Sequence, residues 1–458
     1  MMIGRMKAPL KRKEKKKTVR FSSFGEKSAG EGNLFPSVYV NCDCREGVLR
    51  GGIGLQKCLD ENGGEWGVAL SNNTSAKNVF FATQMVRGER KTPPDLYVVG
   101  LDGYLYVRDS STGAGVKKAL LGEGATHCVL KDESRNAHHL FSAEKGVYGT
   151  IDGETFTHIS PSECISACLY GGRYLLLHKR GDLHYTAPFA PYDGVSSDYD
   201  GAGNIYLPAE CGEPVGMLKY GDEVYIFFER GIYKLTVSAF ARENTLQKIP
   251  YQGGDICVRG QAVTNDGILF LASDGLYYLR NGCVQKICEY LNVTPCEPKE
   301  SCNVGYCDDL VLFTYRQKTE SGEEVKRLAV YADGKDGYFT EAYGTLGGNQ
   351  YTYLSGAVYS YVKDTEGIQR QQTPCFTSQA LDFGTEKRKR LKSIRLTGEG
   401  NVGICVRSGE REHRYLFACK EGGASVRAVD IGKAFTFELY LDVGAAVRSL
   451  EVQYITEE

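Results

Sequence analysis

The chain has 458 residues, 42% of them hydrophobic and 24% charged, with a formal net charge of −2. Its length exceeds the roughly 250–300 residues at which one core stops growing, so two or more cores are expected unless repeats build one large ring. No apolar run approaches the ~20 residues a membrane helix needs, and the near-neutral total by itself points to no partner.

The chain opens on a basic stretch. Arg5, Lys7, Lys11, Arg12, Lys13, Lys15, Lys16, Lys17 and Arg20 stand against Glu14 alone in the first twenty residues. No apolar segment follows, so this does not read as a secretory signal. Residues 1–37 are expected to be a flexible basic arm, either solvated or ordered on an acidic partner or nucleic acid. The Ser- and Gly-rich stretch from Phe21 to Gly32 extends the arm, and ordered structure is expected from near Val38.

From residue 38 to 371 one unit recurs: a strand, a tight Gly turn, and a second strand rich in Tyr, Val and Leu. Leu96-Tyr97-Val98-Val99 leads through Asp102-Gly103 to Tyr104-Leu105-Tyr106-Val107. Val224-Tyr225-Ile226-Phe227-Phe228 leads through Arg230-Gly231 to Ile232-Tyr233. Ile268-Leu269-Phe270-Leu271 leads through Asp274-Gly275 to Leu276-Tyr277. The turn glycines fall at 103, 146, 181, 231, 275 and 356. A period of roughly 40–45 residues is the β-propeller spacing. The long last gap holds a hidden blade at Leu310 to Tyr315 and Leu328 to Tyr331. The count is six or seven blades. Tyr and Gly, 30 and 55 in number, suit pleated surfaces and turns with φ > 0. No window sustains a 3.6-residue apolar period, which argues against helical solenoids.

Near Gln369-Arg370-Gln371-Gln372 the pattern changes. Residues 372–458 read as a β-sandwich docking domain, with strands such as Ile394-Arg395-Leu396, Phe435 to Tyr440 and Leu450 to Tyr454. The predicted class is therefore all-β, a β-propeller followed by a C-terminal β-sandwich.

The chemistry-bearing residues form no site. The 16 Cys are expected to be mostly reduced, buried small hydrophobes of a protein made in a reducing cytoplasm. Cys283, Cys288, Cys296, Cys302 and Cys307 crowd 25 residues, but no gap is the chelating pair a zinc knuckle uses. The sequons at Asn72, Asn73 and Asn292 are expected to be chance matches. Asp198 and Asp200, ahead of Gly201, Gly203 and Asn204, offer oxygens for an ion but lack a distal carboxylate, so a plain turn is expected. Thr150-Ile151-Asp152-Gly153-Glu154-Thr155-Phe156 is similar to a sialidase-type Asp box with one residue missing; such boxes staple folds. His138-His139 sits at a strand start, where one ring is expected to face solvent. No G-x-S-x-G elbow, P-loop or dinucleotide fingerprint occurs. A second basic cluster, Lys387-Arg388-Lys389-Arg390 with Lys392 and Arg395, reads as a solvated face or as a contact with an acidic neighbouring subunit. No catalytic, cofactor-binding or metal-binding residue is assigned, no cofactor is expected, and the chain is expected not to be an enzyme.

Three stretches carry a resemblance. Val38-Tyr39-Val40-Asn41 through Gly51-Gly52-Ile53-Gly54, Gly212 to Leu235, and Gln261 to Leu279 resemble the propellers of tail hub or nozzle proteins of short-tailed bacteriophages, also called phage stabilisation proteins. Leu381-Asp382-Phe383-Gly384 and the basic residues after it resemble sandwich modules of phage tail proteins. The resemblance implies a structural virion protein of a phage or prophage tail, made in the bacterial cytoplasm. It implies a homo-oligomeric ring that packs against portal, adaptor and other tail proteins, with no membrane partner and DNA only as the passing genome. A carbohydrate-binding or carbohydrate-cleaving propeller and a cytosolic peptide-binding scaffold remain open beside it.

Overall fold

The computed structural model describes residues 15–24, 33–34, 36–44, 47–59, 70, 76–82, 85–86, 89–90, 95–109, 111–190, 201–236, 244–291, 293–299, 302–319, 321–332, 337–341, 346, 350–354, 357–363, 368, 372–420 and 423–457. The chain divides into two compact units: residues 53–372, and a second unit that joins residues 1–52 to 373–458. Helical turns form at Ala209–Cys211 and Glu289–Leu291, and among the described residues no helix is long and apolar enough to cross a membrane.

The first unit is a seven-bladed β-propeller. Blades 1 to 5 are four-stranded antiparallel sheets, and blade 6 is a run of four strands paired antiparallel in chain order. Blade 1 runs through Ala76–Ala82, Asp95–Gly100, Tyr104–Arg108 and Gly115–Leu120, and blade 2 through Thr126–Lys131, Ala137–Ala143, Gly146–Thr150 and Thr157–Ser160. Blade 3 holds Cys164–Tyr170, Arg173–His178, Asp182–Tyr185 and Gly203–Tyr206; blade 4 holds Pro214–Tyr220, Glu223–Phe228, Gly231–Thr236 and Thr245–Ile249. Blade 5 holds Ile256–Val263, Ile268–Ala272, Gly275–Arg280 and Cys283–Ile287; blade 6, the hidden one, holds Asn303–Cys307, Leu310–Lys318, Glu324–Ala332 and Gly337–Glu341. Blade 7 is composite. Tyr351–Leu354 and Ala357–Lys363 are joined by Ile53–Lys57 from the start of the unit, which pairs Leu55 with Tyr361 and Ile53 with Lys363. This pairing closes the ring, and closure removes the open edges that a row of separate sheets would expose.

The second strands read as continuous apolar runs because both of their faces are covered. In Glu223–Phe228, Val224, Ile226 and Phe228 pack with Leu175, Leu177 and Leu183 of blade 3. Tyr225 and Phe227 point the other way, onto Ile268, Phe270 and Tyr277 of blade 5. The period of two in a strand thus sends alternate side chains to opposite neighbours. Each such side chain, fully buried, contributes about 1.5–3 kcal/mol. Similar layers join blades 1 and 2, blades 2 and 3, and blades 7 and 1, where Tyr353 and Val358 meet Val98 and Tyr106. In blades 4 and 5 the fourth strand ends its sheet, and of Thr245–Ile249 and Cys283–Ile287 only Ile249 is buried.

This arrangement corrects the expectation for His138 and His139. Both rings are buried, at 4% and 0% exposure. Their strand, Ala137–Ala143, is buried along its whole length between the neighbouring blades, so alternation carries neither ring to solvent.

The second unit is a separate curled, sandwich-like sheet built around Lys389–Ser408, a strand of 20 residues. Its first half pairs with Ala446–Thr456 and its second half with Thr436–Leu441 and Arg411–Cys419. The strand bends between the halves, where the register slips at Thr397/Gly398 and Gly400 adopts φ +76° with its Cα against Ala445; a Cβ there would sit 2.9 Å from the Ala445 Cα. Bulges of this kind curl a sheet. Phe376, Leu391, Ile394, Leu396, Ile404, Phe435, Phe437, Leu439 and Leu450 are among this unit's buried side chains.

Two expectations about the amino terminus change here. Lys17–Phe21 is a strand paired residue by residue with Leu450 to Tyr454, and Phe21 and Phe24 are buried, so order begins well before Val38. The stretch from Val38 to Gly51, expected within the propeller, also falls in the second unit: Pro36–Val40, Cys42–Asp43 and Leu49–Gly51 pair with Cys375–Ser378, with each other, and with Ala446–Val447. The alternating apolar residues there suit any half-buried sheet, and only pairing decides which.

Candidate functional site

The feature that repeats around the propeller is a cross-strand pair. In blades 1, 2, 4 and 5 a tyrosine on the third strand stands directly opposite a basic residue on the fourth: Tyr106 opposite Lys117, Tyr148 opposite His158, Tyr233 opposite Lys248, and Tyr277 opposite Lys286. Three of these pairs recruit a carboxylate. Tyr106 Oη donates to Asp102 Oδ2 at 2.7 Å, and Lys117 Nζ lies 2.9 Å from the same oxygen. Tyr233 Oη and Lys248 Nζ both donate to Glu210 Oε1, at 2.6 and 2.7 Å. Tyr277 Oη donates to Asp274 Oδ2 at 2.6 Å, with Lys286 Nζ at 3.5 Å. In blade 2 the tyrosine instead stacks on His158, ring centroids 4.5 Å apart.

The electrostatics follow from these contacts. Burial pushes the Asp102 and Asp274 carboxyls up, but hydrogen bonds and the nearby lysines outweigh it, so both lie below the ordinary carboxylate range. Glu210 is lowered by Lys248 and Tyr233. Burial and the accepting carboxylates raise the Tyr233 and Tyr277 phenols. Each triad therefore gathers a phenol and a lysine on one carboxylate, which ties turn, third strand and outer strand together.

Sequence reasoning saw the tyrosines and missed their partners. The basic residue follows its tyrosine after 11, 10, 15 and 9 positions, because the intervening loops differ in length. A search for a base opposite each hairpin tyrosine, rather than at fixed spacing, would have found them.

Inner strands make a second kind of contact. Arg259, on the first strand of blade 5 at φ +56°, donates from Nε to the Ile165 carbonyl of blade 3 at 2.9 Å. Its guanidinium lies over Gly124, where a Cβ would collide with it. Burial pulls the Arg259 pKa down to about 10. Ser166 Oγ donates to the Met217 carbonyl of the next blade at 2.9 Å.

The other expected features resolve individually. Asp152 accepts hydrogen bonds from the Glu154 and Thr155 amides at 2.8 Å each and from Thr150 Oγ1, and Phe156 packs on the core between blades 1 and 2; the Asp-box-like stretch is a turn staple. Asp198, Asp200, Asn72, Asn73 and Asn292 lie outside the described residues. Gly203 and Asn204 belong to the outer strand of blade 3. Of the five crowded cysteines, Cys283 is exposed and Cys302 is buried, with its Sγ donating to the Thr314 carbonyl at 3.0 Å. Nine of the sixteen cysteines are buried. Among the described residues no group of three or more His, Cys, Asp or Glu could hold a metal ion.

The second basic cluster is not uniformly solvated, which corrects the solvated-face reading. Lys389 is fully buried, its Nζ donating to the carbonyls of Thr385, Lys387 and Lys433. Arg388 and Arg390 pair with Glu457. Leu381 to Gly384 forms the turn before this strand: the Gly384 amide donates to Asp382 Oδ1 at 2.9 Å, and Phe383 stacks on Phe435 and Tyr454.

No family of known sequences matches the chain, and no curated protein does. Solved structures that resemble it are propellers or contain them. Raptor from Chaetomium thermophilum shares 11% identity at a TM-score of 0.43, covering 66% of this chain and 29% of that one. The β-propeller domain of Cps50 (Swd1) from Myceliophteria thermophila shares 11% at 0.39, covering 63% and 98%. BBS1N, solved in complex with ARL6DN, shares 14% at 0.37, covering 56% and 79%. The chain thus spans 29% of the Raptor chain. Likeness at this level is a likeness of fold.

Proposed function

We propose that the chain is a structural, non-catalytic propeller that acts by packing against other protein subunits, as part of the hub or nozzle ring of a short-tailed phage or prophage tail. The observation that carries this reading is the insertion of the propeller into the second unit, which is assembled from both ends of the chain. A ring held by both of its covalent ends on one module is suited to transmitting position within an assembly. A propeller with a free terminus would be held at one point only.

Two further features support it. The stretches that resemble tail hub proteins, Gly212 to Leu235 and Gln261 to Leu279, coincide with the first three strands of blades 4 and 5. The hydroxyls and charges repeated round the ring are engaged in bracing strands, as the triads at Asp102, Glu210 and Asp274 show. In this role the protein is made in the bacterial cytoplasm and resides in the virion, with portal and adaptor proteins as partners.

The test is reconstitution. Purified full-length chain is mixed with a portal–adaptor ring and imaged by electron microscopy. Ordered added density at the ring supports the reading; a chain that ignores the ring while binding a glycan array or a peptide library overturns it in favour of a lectin or a peptide scaffold.

A further inference from the structure

The net charge of −2 conceals a separation. The unit made of residues 1–52 and 373–458 contains twenty-five Lys and Arg and seventeen Asp and Glu, a net +8. The propeller, residues 53–372, contains thirty and forty, a net −10. One chain therefore carries a cationic module and an anionic one of similar magnitude.

The fold concentrates the positive side. The two basic stretches lie near opposite ends of the sequence, yet the strand register brings them to one end of the curled sheet. Lys17 stands opposite Tyr454, and Tyr454 stands opposite Leu391 on the next strand. Continuing in the same direction, Arg390 and Lys389 face Ile455 and Thr456, and the Glu457 amide donates to the Arg388 carbonyl. Lys16 and Lys15 precede Lys17 toward that same end. Lys15, Lys16, Lys17, Lys387, Arg388 and Arg390 are all exposed. Glu457 partly neutralises the last two, at 3.6 and 2.7 Å.

The negative side has a matching display. The turns between first and second strands all fall on one rim of a propeller, since strands alternate in direction. On that rim Glu133, Asp222, Asp266, Asp308 and Asp309 are exposed, from blades 2, 4, 5 and 6; Arg280 partly neutralises Asp266 at 3.5 Å, and Lys363 partly neutralises Asp308 and Asp309, at 3.6 and 2.5 Å.

We propose that the basic corner formed by Lys15, Lys16, Lys387, Arg388 and Arg390 docks on the acidic rim of the propeller of a second copy of this chain. The contact joins two different surfaces, so it is heterologous and propagates from copy to copy until it closes into a ring. Complementary fields steer such encounters and fix their orientation. The inference rests on the subunit-packing reading and supplies its surfaces.

The experiment uses the full chain in analytical ultracentrifugation. At about 0.05 M salt the protein should associate, and at about 1 M, where the screening length falls to ~3 Å, it should be monomeric, with the apparent dissociation constant rising at least about tenfold. A corner variant carrying Lys15→Glu, Lys16→Glu, Lys387→Glu and Arg388→Glu should stay monomeric at low salt, as should a rim variant carrying Glu133→Lys, Asp222→Lys and Asp266→Lys. Unchanged circular dichroism and melting midpoint show that both are folded. Mixed together, each supplies the surface the other lacks, and a dimer should form. Salt-independent sedimentation, association of the corner variant like the wild type, or no dimer in the mixture would overturn the proposal. So would a shift of a 20-base-pair DNA duplex without self-association, which would assign the corner to nucleic acid. The two readings fail separately: self-association without binding to a portal–adaptor ring sinks the tail assignment, and ring binding by a chain that does not self-associate sinks this contact.

Discussion

The closure of the propeller makes a prediction whose size can be worked out. Ile53–Lys57 is the first strand of the unit in sequence and the last added to the ring, pairing with Ala357–Lys363. Leu55 and Tyr361 face each other directly across that junction and are 3% and 1% exposed. Leu55→Ala removes a fully buried side chain from a site that cannot collapse without moving two strands. Losses of this type cost about 2–5 kcal/mol, transfer and cavity terms together. Tyr361→Phe removes only the hydroxyl and should cost about 1 kcal/mol or less. Tyr361→Ala should cost about 3–5 kcal/mol, and because the two residues stand directly opposite each other across the strand pair, the double variant should fall short of the sum by about 0.5–1 kcal/mol. Thermal unfolding followed by far-ultraviolet circular dichroism gives the ranking, and limited proteolysis reads opening of the ring. Leu55→Ala should make the propeller cleavable well below the melting temperature. A loss under about 0.5 kcal/mol with unchanged protease sensitivity would show that this strand does not close the ring, and the seven-blade count would lose its seventh member.

Three further perturbations test other parts of the account. Lys389→Met keeps the length of the side chain but leaves the carbonyls of Thr385, Lys387 and Lys433 without their shared donor. The curled sheet should lose about 2–4 kcal/mol in urea unfolding, and a neutral result would mean water replaces the ammonium there. Gly124→Ala forces a Cβ into the Arg259 guanidinium at φ +64°, so a loss of about 2 kcal/mol or more is expected; Arg259→Ala should relieve the collision and leave the second substitution with only the roughly 1 kcal/mol strain of a non-glycine residue at positive φ. Asp132 accepts from His138 and from the Asn136 amide and side chain, and the His138 contact foremost holds its carboxyl down to about 2. A depressed folded-state pKa stabilises above the unfolded value near 3.8 and loses that contribution as pH falls toward 2. Asp132→Asn should therefore flatten the stability curve between pH 4 and pH 2, and a parallel curve would refute the assignment.

The hairpin tyrosines show what was readable and what was not. Tyr106, Tyr233 and Tyr277 stand out in sequence because each follows a turn glycine in an alternating strand, and that pattern is local. Their partners Lys117, Lys248 and Lys286 are set by loop lengths, which vary, so no fixed spacing marks them. His138 and His139 failed for a related reason: alternation predicts two faces, but not that both are covered by neighbouring blades.

The sequence by itself determined the all-β class, the repeat, the change of pattern near residue 372 and the basic character of the first twenty residues. Each of these is a property of periodicity or composition within a short window. The tertiary structure alone decided that the ring has seven blades and closes through Ile53–Lys57, that Lys17–Phe21 and Pro36–Val40 belong with the carboxy-terminal sheet, and that two distant basic clusters share one corner. Those outcomes depend on which strands pair across hundreds of residues. Strand pairing is selected by the burial of whole faces, which no window of neighbouring residues encodes.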